Sequence, residues 1–311
     1  HIMTEEQPRW LKFQKGQIDY IGIPKDNFQS SLTPTKKLTP AMSKKEIQLS
    51  FEPGLDIGYI AFNHSNELFG KNKKLRQAMS MAYDSKTANE LFYNGTARPA
   101  QSMVPPGIAG YDRDYKNPYV QFNIEMAKEL LKEAGYPEGK GLPVITYDTS
   151  SSTTLRQMAE FFKKCMKKIG INVKVVTNSW PGLQKKIRTK STMLHSVGWL
   201  ADYPDAENFL QLLYGPNEAP GSNGSNYSNM IFDELFLKAS VMQPGNKRDT
   251  LYKRLNKMVG EELPVIFNFH RVSFVMNHAW LKNYVLSDLV SGQAKYLNID
   301  VEKKGQLEGK F

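Results

Sequence analysis

From Asn123 to Phe209 the chain alternates between helix and strand, and this constrains the fold more than any other feature of the sequence. Asn123 is placed to cap a helix over Ile124–Ala134, which Gly135 closes. A strand over Pro143–Thr149 follows. The next helix carries Leu155, Met158, Phe162, Cys165, Met166 and Ile169 on one face, at the i, i+3, i+4, i+7 spacing of a core stripe. A strand over Ile171–Val176 and a helix from Trp180 to Ile187 come next. Strands separated by helices of this length pair at least partly in parallel, so the sequence predicts an α/β lobe.

The alternation leads into Met193–Phe209, M-L-H-S-V-G-W-L-A-D-Y-P-D-A-E-N-F. Met193–Trp199 carries too few charges for an exposed face and is too short for a free-standing helix, which predicts a buried strand. Asp202-Tyr203-Pro204-Asp205 ends it, because proline cannot donate to a ladder and pushes Tyr203 towards an extended conformation. Asp205 is placed to cap a helix through Glu207, Phe209, Leu210 and Leu213. The carboxylate of Asp202 therefore sits beside Trp199 at the carboxyl end of a strand, where open α/β sheets bind ligands. Read locally, Asp202 is equally a turn residue.

Gly198-Trp199-x-x-Asp202-Tyr203-Pro204-Asp205-x-x-x-Phe209 resembles the G-W-x-x-D-[YN]-x-[DE]-P-x-x-F segment of the peptide/oligopeptide solute-binding proteins. These are extracytoplasmic receptors of ABC importers for di- and oligopeptides and, in some branches, nickel, opines or sugars. Ala206 stands where the pattern often has proline. Further segments match in order. Leu75–Asp84 resembles [LV]-R-x-A-[IM]-x-x-A-[IY]-D, with Ser85 replacing the usual basic residue. Ala127–Pro137 resembles A-K-x-L-L-x-E-A-G-Y-P, and Asn226–Asp233 resembles N-Y-x-N-x-x-[FY]-D. Leu263–Ile266 matches L-P-x-[IV], and Leu281–Tyr284 matches [VL]-K-N-[YF]. The resemblance implies a type II periplasmic-binding-protein fold with two lobes. It also implies that Asp202 pairs with the α-ammonium of a bound peptide.

The ends of the chain suggest where it lies in that family. His1-Ile2-Met3 reads as a cloning scar, and no signal segment follows it. Residues 4–68 read as the C-terminal part of a first lobe and its linker. Within them, Gln7–Tyr20 reads as a helix closed by Gly16, then a strand. Ile47, Leu49 and Phe51 alternate with polar residues as a half-buried strand, and Gly58–Phe62 reads as a strand buried on both faces. Residues 69–285 read as a complete ligand-binding lobe, and 286–311 as a return segment with a charged tail. Asn94-Gly95 marks a turn, and Met230–Met242 and Lys247–Glu262 read as helices. Leu263–Ile266 and Phe269–Val275 read as strands. The expectation is a truncated chain holding one complete lobe and part of the other.

Composition narrows the functional classes. Lys and Arg total 41 against 31 Asp and Glu, a net charge of +10. The basic clusters at Lys71–Lys74, Lys163–Lys168, Lys185–Lys190 and Lys303–Lys310 are lysine-rich and lack interleaved aromatics, which argues for solvated faces and against nucleic acid. Cys165 is the only cysteine, so an intrachain disulfide or cysteine-based zinc site is excluded, and its place in the helical stripe predicts a buried thiol. His64, His195, His270 and His278 form no H-E-x-x-H pair, and no G-x-S-x-G elbow occurs. Gly305–Lys310 is one residue short of a P-loop. Asp202 and Asp205 are too close in sequence for the opposed carboxyls of a glycosidase. No catalytic residue, metal or cofactor is expected.

A binding mechanism follows more readily. Ser196-Val197-Gly198 is the candidate edge for backbone pairing with an extended peptide, with Gly198 permitting close approach. Asp202 would hold the ammonium, Trp199 would wall the site, and Tyr203 and Tyr227 would sit at its rim. His195 could face either side of its strand, and Trp180 and Trp280 read as core or lobe-junction residues. The expected partners are a peptide and an inner-membrane ABC permease. The expected setting is periplasmic or lipid-anchored outside the cytoplasm, and unpaired first-lobe strands would invite self-association. The alternatives are a non-peptide solute (nickel chelate, opine or oligosaccharide) on the same fold, or a chaperone-like interaction module.

Overall fold

A computed structural model describes Met3, residues 5–287, Leu289 and residues 292–307. The His1-Ile2 part of the supposed cloning scar and the Glu308–Lys310 end of the basic tail lie outside the described residues. The strands are β1 (Tyr20–Gly22), β2 (Ile47–Pro53), β3 (Asp56–Phe62), β4 (Arg98–Pro99), β5 (Ile145–Ser150), β6 (Val173–Asn178), β7 (Leu194–Leu200), β8 (Val265–His270), β9 (Val272–His278), β10 (Leu281–Lys282) and β11 (Asn298–Ile299). The chain divides into two compact units, His1–Gly54 with Val272–Phe311, and Leu55–Arg271. These limits differ from the 69–285 lobe read from the sequence. The reason is pairing: β3 lies inside the larger unit's sheet, whereas β9 pairs with β1 and β2.

The larger unit is built on a six-stranded sheet in the order β4-β8-β3-β7-β5-β6. β5 runs parallel to β6 and β7, and β3 runs antiparallel to β7 and β8. This is the mixed α/β lobe that the helix–strand alternation predicts. β3 is apolar on both faces because each face meets a separate core. Ile60 and Phe62 join a core with Leu75, Leu131 and Phe162, while Ile57, Tyr59 and Ala61 join another with Phe232 and Leu255. Cys165 lies in the first of these, 1% exposed, and burial pushes its thiol up.

Local signals place most helices. Asn123 accepts the Met126 N–H at the start of Ile124–Glu133, and Ser152 accepts that of Leu155 at the start of Thr153–Lys167. Asn94, at φ 51°, ends the helix Ser85–Tyr93. The helix Lys73–Ala82 is covered on all sides, since every residue from Leu75 to Ala82 is buried. Its polar face is covered because Arg76 donates to the carbonyls of Glu262 (2.7 Å) and Leu263 (3.0 Å), and Gln77 to that of Glu261 (3.0 Å). These carbonyls end the helix Asn246–Glu262, where a cation is favoured.

Several strand limits also shift. β5 and β6 start and end later than read, and the strands expected at 263–266 and 269–275 are instead β8 and β9. Leu263 takes a left-handed conformation (φ 47°) and Pro264 has no N–H, so the ladder starts only at Val265. β7 is buried only at Leu194 and His195, not throughout.

In the smaller unit, β1-β9-β2 form an antiparallel sheet under the helix Glu6–Gln14, which ends before Gly16 at φ 65°. Trp10, Phe13, Ile21, Met42, Ile47 and Met276 make its core. Trp280 is fully buried and stacks on His278 at 4.1 Å, which stacks on Phe13 at 4.3 Å. The alternation in β2 holds at Ile47 and Leu49 but fails at Phe51, which is 61% exposed and lies against Phe274.

Candidate ligand-binding site

β7 has two unlike sides. Along one it pairs with β3 over all seven residues, from Leu194 opposite Phe62 to Leu200 opposite Asp56. Along the other it meets β5 only at Leu194 and His195. From Ser196 onward that side has no strand partner among the described residues. Alternate residues of an antiparallel strand turn their N–H and C=O away from the neighbour, so this half of β7 presents an open edge to solvent. The Ser196 hydroxyl donates to Thr149 Oγ1 at 2.9 Å, near the end of β5.

A cavity of about 190 Å³ adjoins this edge and includes Ser196, Val197 and Gly198 in its lining. Gly58 and Gly198 both line it and stand directly opposite each other in the β3–β7 register. The sheet therefore carries no side chain there. A Cβ added at Gly58 would come 3.7 Å from the Phe269 carbonyl, and one at Gly198 3.5 Å from that of Ile57. These are ordinary contacts, so the backbone does not require glycine at either position; the paired glycines leave space. Aromatic and thioether groups of Tyr93, Tyr147, Met158, Trp180 and Phe269 bound that space. Arg271 also lines it, and its guanidinium is paired with the Asp56 carboxylate, which also accepts the Arg271 N–H at 2.9 Å. Asp56 is 2% exposed.

Beyond β7 the chain turns at Ala201–Asp205. Asn208, fully buried, organises the turn: its Oδ1 accepts from Trp199 Nε1 at 2.9 Å and from the Asp202 N–H at 3.1 Å. Its Nδ2 donates to Asp202 Oδ2 at 3.2 Å. Asp202 is itself exposed, so its second carboxylate oxygen can meet a ligand. Asn208 was not singled out from the sequence; its one signal there is a poor helix former inside a helix start. Asp205, expected as the cap, stands one residue too early: the cap position is Ala206, the helix is short, Glu207–Leu210, and Asp205 accepts the Glu207 N–H (2.9 Å) across a local turn. Its carboxylate is mainly taken by Arg248, in two bonds of 2.6 and 3.1 Å.

The residues expected at the site thus fall into groups. Ser196, Val197 and Gly198 line the cavity, whereas Trp199, Asp202, Tyr203 and Tyr227 do not. Trp199 and Asp202 are joined through Asn208. Tyr203 is 44% exposed and bonds to the Glu207 carboxylate. Tyr227, expected at a rim, is 3% exposed and packs edge-on to His64 and Phe232, because its ring completes a core. His195 faces away from Ser196, buried against Thr192 Oγ1 at 3.0 Å, and burial lowers its pKa to about 4. Trp180, expected in a core or at a lobe junction, is 55% exposed on the cavity lip. A strand's period does not say which side is left open, and a helix N-terminus does not say where its first aromatic points.

Among the described residues no group of three or more His, Cys, Asp or Glu could hold a metal ion, and no helix is long and apolar enough to cross a membrane. The profile of the bacterial extracellular solute-binding proteins, family 5 Middle, matches residues 1–221. The chain is 31% identical over 308 residues to the heme-binding protein A of Haemophilus influenzae, covering 97% of this chain and 53% of that protein. It is 26% identical over 306 residues to the dipeptide-binding protein of Escherichia coli, covering 97% and 54%. Its fold matches the periplasmic binding protein DppA of Helicobacter pylori, solved in complex with the peptide STSA, with a TM-score of 0.83 and 25% identity, covering 96% of this chain and 56% of that one. The chain spans about half the length of the curated relatives it matches.

Proposed function

The chain belongs to the family 5 bacterial extracellular solute-binding proteins, which are binding proteins rather than enzymes, and from that premise we propose that it captures di- or oligopeptides for an ABC importer. The observation that carries this reading is the half-paired strand β7. An extended peptide laid beside Ser196–Gly198 would satisfy its own backbone groups and those of β7 whatever its sequence. Asp202, held by Asn208 at the end of the same strand, is the partner for the α-ammonium. Trp199 keeps the turn in place by donating to the same amide. The permease partner and an extracytoplasmic setting, free or lipid-anchored, belong to the same proposal.

The test uses the longer natural protein, purified without refolding. Native mass spectrometry should detect a ladder of co-purified peptide masses. In calorimetry, Asp202→Ala should weaken a bound peptide by about 1.5–3 kcal/mol, the usual worth of a hydrogen bond to a charged group, or roughly 10- to 150-fold. Unchanged affinity would remove the ammonium assignment. A protein that ignores a peptide library but takes up haem, the ligand named for its Haemophilus relative, would overturn the peptide reading.

A further inference from the structure

We infer that the β6 edge of the larger unit is an electrostatic docking surface for an anionic phospholipid bilayer. No residue assigned to peptide capture takes part.

Residues 153–190 hold ten Lys or Arg and a single acidic residue, Glu160, a net charge of +9. The whole chain carries +10, so the remainder is close to neutral, with 31 cations against 30 anions. Along the sequence these cations fall into two separate clusters, each of which reads as a solvated helix face. The fold joins them.

β6 is the last strand of the six-stranded sheet, and the helices Thr153–Lys167 and Trp180–Arg188 cover its two faces. Neighbouring residues of β5 show this, since successive side chains of a strand point to opposite faces. The Tyr147 ring lies 5.1 Å from that of Phe162 in the first helix, while Asp148 accepts from Lys186 of the second at 2.7 Å. Phe161 of the first helix turns inward, to Phe92 of the helix Ser85–Tyr93, which packs on β4 at the opposite end of the sheet. Arg156 and Lys167, eleven residues and so three turns apart, lie at least a third of a turn round from Phe161, on the flank nearer β6. On β6 itself Val173 joins the core with Phe162, so Lys174 points to the other face, that of the second helix. Arg156, Lys167 and Lys174 are all exposed.

Only Lys163, Lys186 and Lys190 of the ten cations have carboxylate partners among the described residues, in Glu160, Asp148 and Glu218. The other seven repel one another, and an oppositely charged surface relieves that repulsion. One lysine on an edge strand is enough to discourage pairing with another strand; a net charge of +9 exceeds that need. Eight of the ten are lysines, hydrated point charges on long stems rather than planar forks shaped for one phosphate. The clusters also lack the interleaved aromatics on which bases stack. A sheet of lipid phosphates matches such diffuse charge, and each Lys or Arg near an anionic bilayer is worth about fivefold in affinity.

The experiment uses the longer natural protein, prepared without any acyl anchor, in co-sedimentation with phosphatidylcholine vesicles that contain either no phosphatidylglycerol or one part in three. The protein should bind the mixed vesicles and ignore pure phosphatidylcholine. Salt at ~1 M, where the Debye length is about 3 Å, should release it. Arg156→Gln, Lys167→Gln and Lys174→Gln together should weaken binding at least tenfold. Lys238→Gln, Lys247→Gln and Lys253→Gln together remove the same charge from the helices Met230–Ser240 and Asn246–Glu262, and should stay within threefold of the parent. All six side chains are exposed, so both variants keep their packing. Equal losses in the two variants would mean that net charge alone acts, and would overturn the edge assignment. Mixed vesicles left unbound, or bound equally at high salt, would overturn the docking surface itself. Capture by duplex DNA with the vesicles ignored would overturn the choice of a bilayer.

Discussion

Replacing Asp205 by alanine should destabilise the larger unit by about 3 kcal/mol. The carboxylate makes two bonds to Arg248, of 2.6 and 3.1 Å, and accepts the Glu207 N–H at 2.9 Å. Arg248 has a side chain 10% exposed, and its Nε donates to the Ala239 carbonyl. Removing one partner of a buried pair costs about 3–5 kcal/mol, because the other charge remains without its counterion. Asp205 is 27% exposed, so water reaches the vacated site and the cost falls below that range, to about 2 kcal/mol. Loss of the bond to the Glu207 N–H adds about 1 kcal/mol. Arg248→Met should cost less, about 1–2 kcal/mol, since the remaining carboxylate can hydrate and keeps Glu207. The double variant should lose less than the sum, with a coupling of about 1–2 kcal/mol. Urea unfolding followed by fluorescence measures all three. A loss below 1 kcal/mol for Asp205→Ala, or additive single effects, would refute the reasoning and reduce the pair to surface decoration.

Other consequences follow from burial and close approach. Burial holds His195, His270 and His278 at about 4, below the ~6.5 of an unfolded chain. The unfolded state therefore takes up protons first, and stability present above pH ~6.5 should be lost as pH falls towards 4. His195→Gln should flatten the urea-midpoint profile in that window, by up to ~1.4 kcal/mol per pH unit; an unchanged slope would show that His195 is protonated in the fold. Asn208→Ala should cost about 1–3 kcal/mol of stability, by stranding the Trp199 indole N–H, and should weaken peptide binding about tenfold by freeing Asp202. Wild-type affinity in that variant would separate the turn from the site. Gly139→Ala would place a Cβ 2.1 Å from the Gly170 carbonyl at φ 76°, and should cost more than about 2 kcal/mol in thermal or urea unfolding. A neutral result would mean that the two turns can part without loss.

Much of the fold was legible in the chain because its signals are local. The cap at Asn123, the turn at Asn94-Gly95 and the all-apolar run of β3 are each settled within a few residues, by backbone hydrogen bonding and side-chain period. The ordered series of family-like segments from Leu75 to Tyr284 was legible in the same way, as was Asp202 beside a strand end. The open side of β7 was not. It depends on β5 pairing with only two of its residues, and strand register joins segments that no local pattern relates. The same reason separates Gly198, noticed for its small size, from Gly58, whose importance lies only in standing opposite it. Asp205 reads as a capping residue, yet the cap position falls at Ala206 and its main partner is Arg248 in a distant helix. The part Asn208 plays in the turn shows only where Trp199 and Asp202 converge on its amide, and Tyr227 is buried because its ring closes a core. Composition and period determined which segments form and roughly where they end. Long-range packing decided which edge stayed unpaired, which charges met and where space was left, because those are properties of pairs of segments rather than of any one.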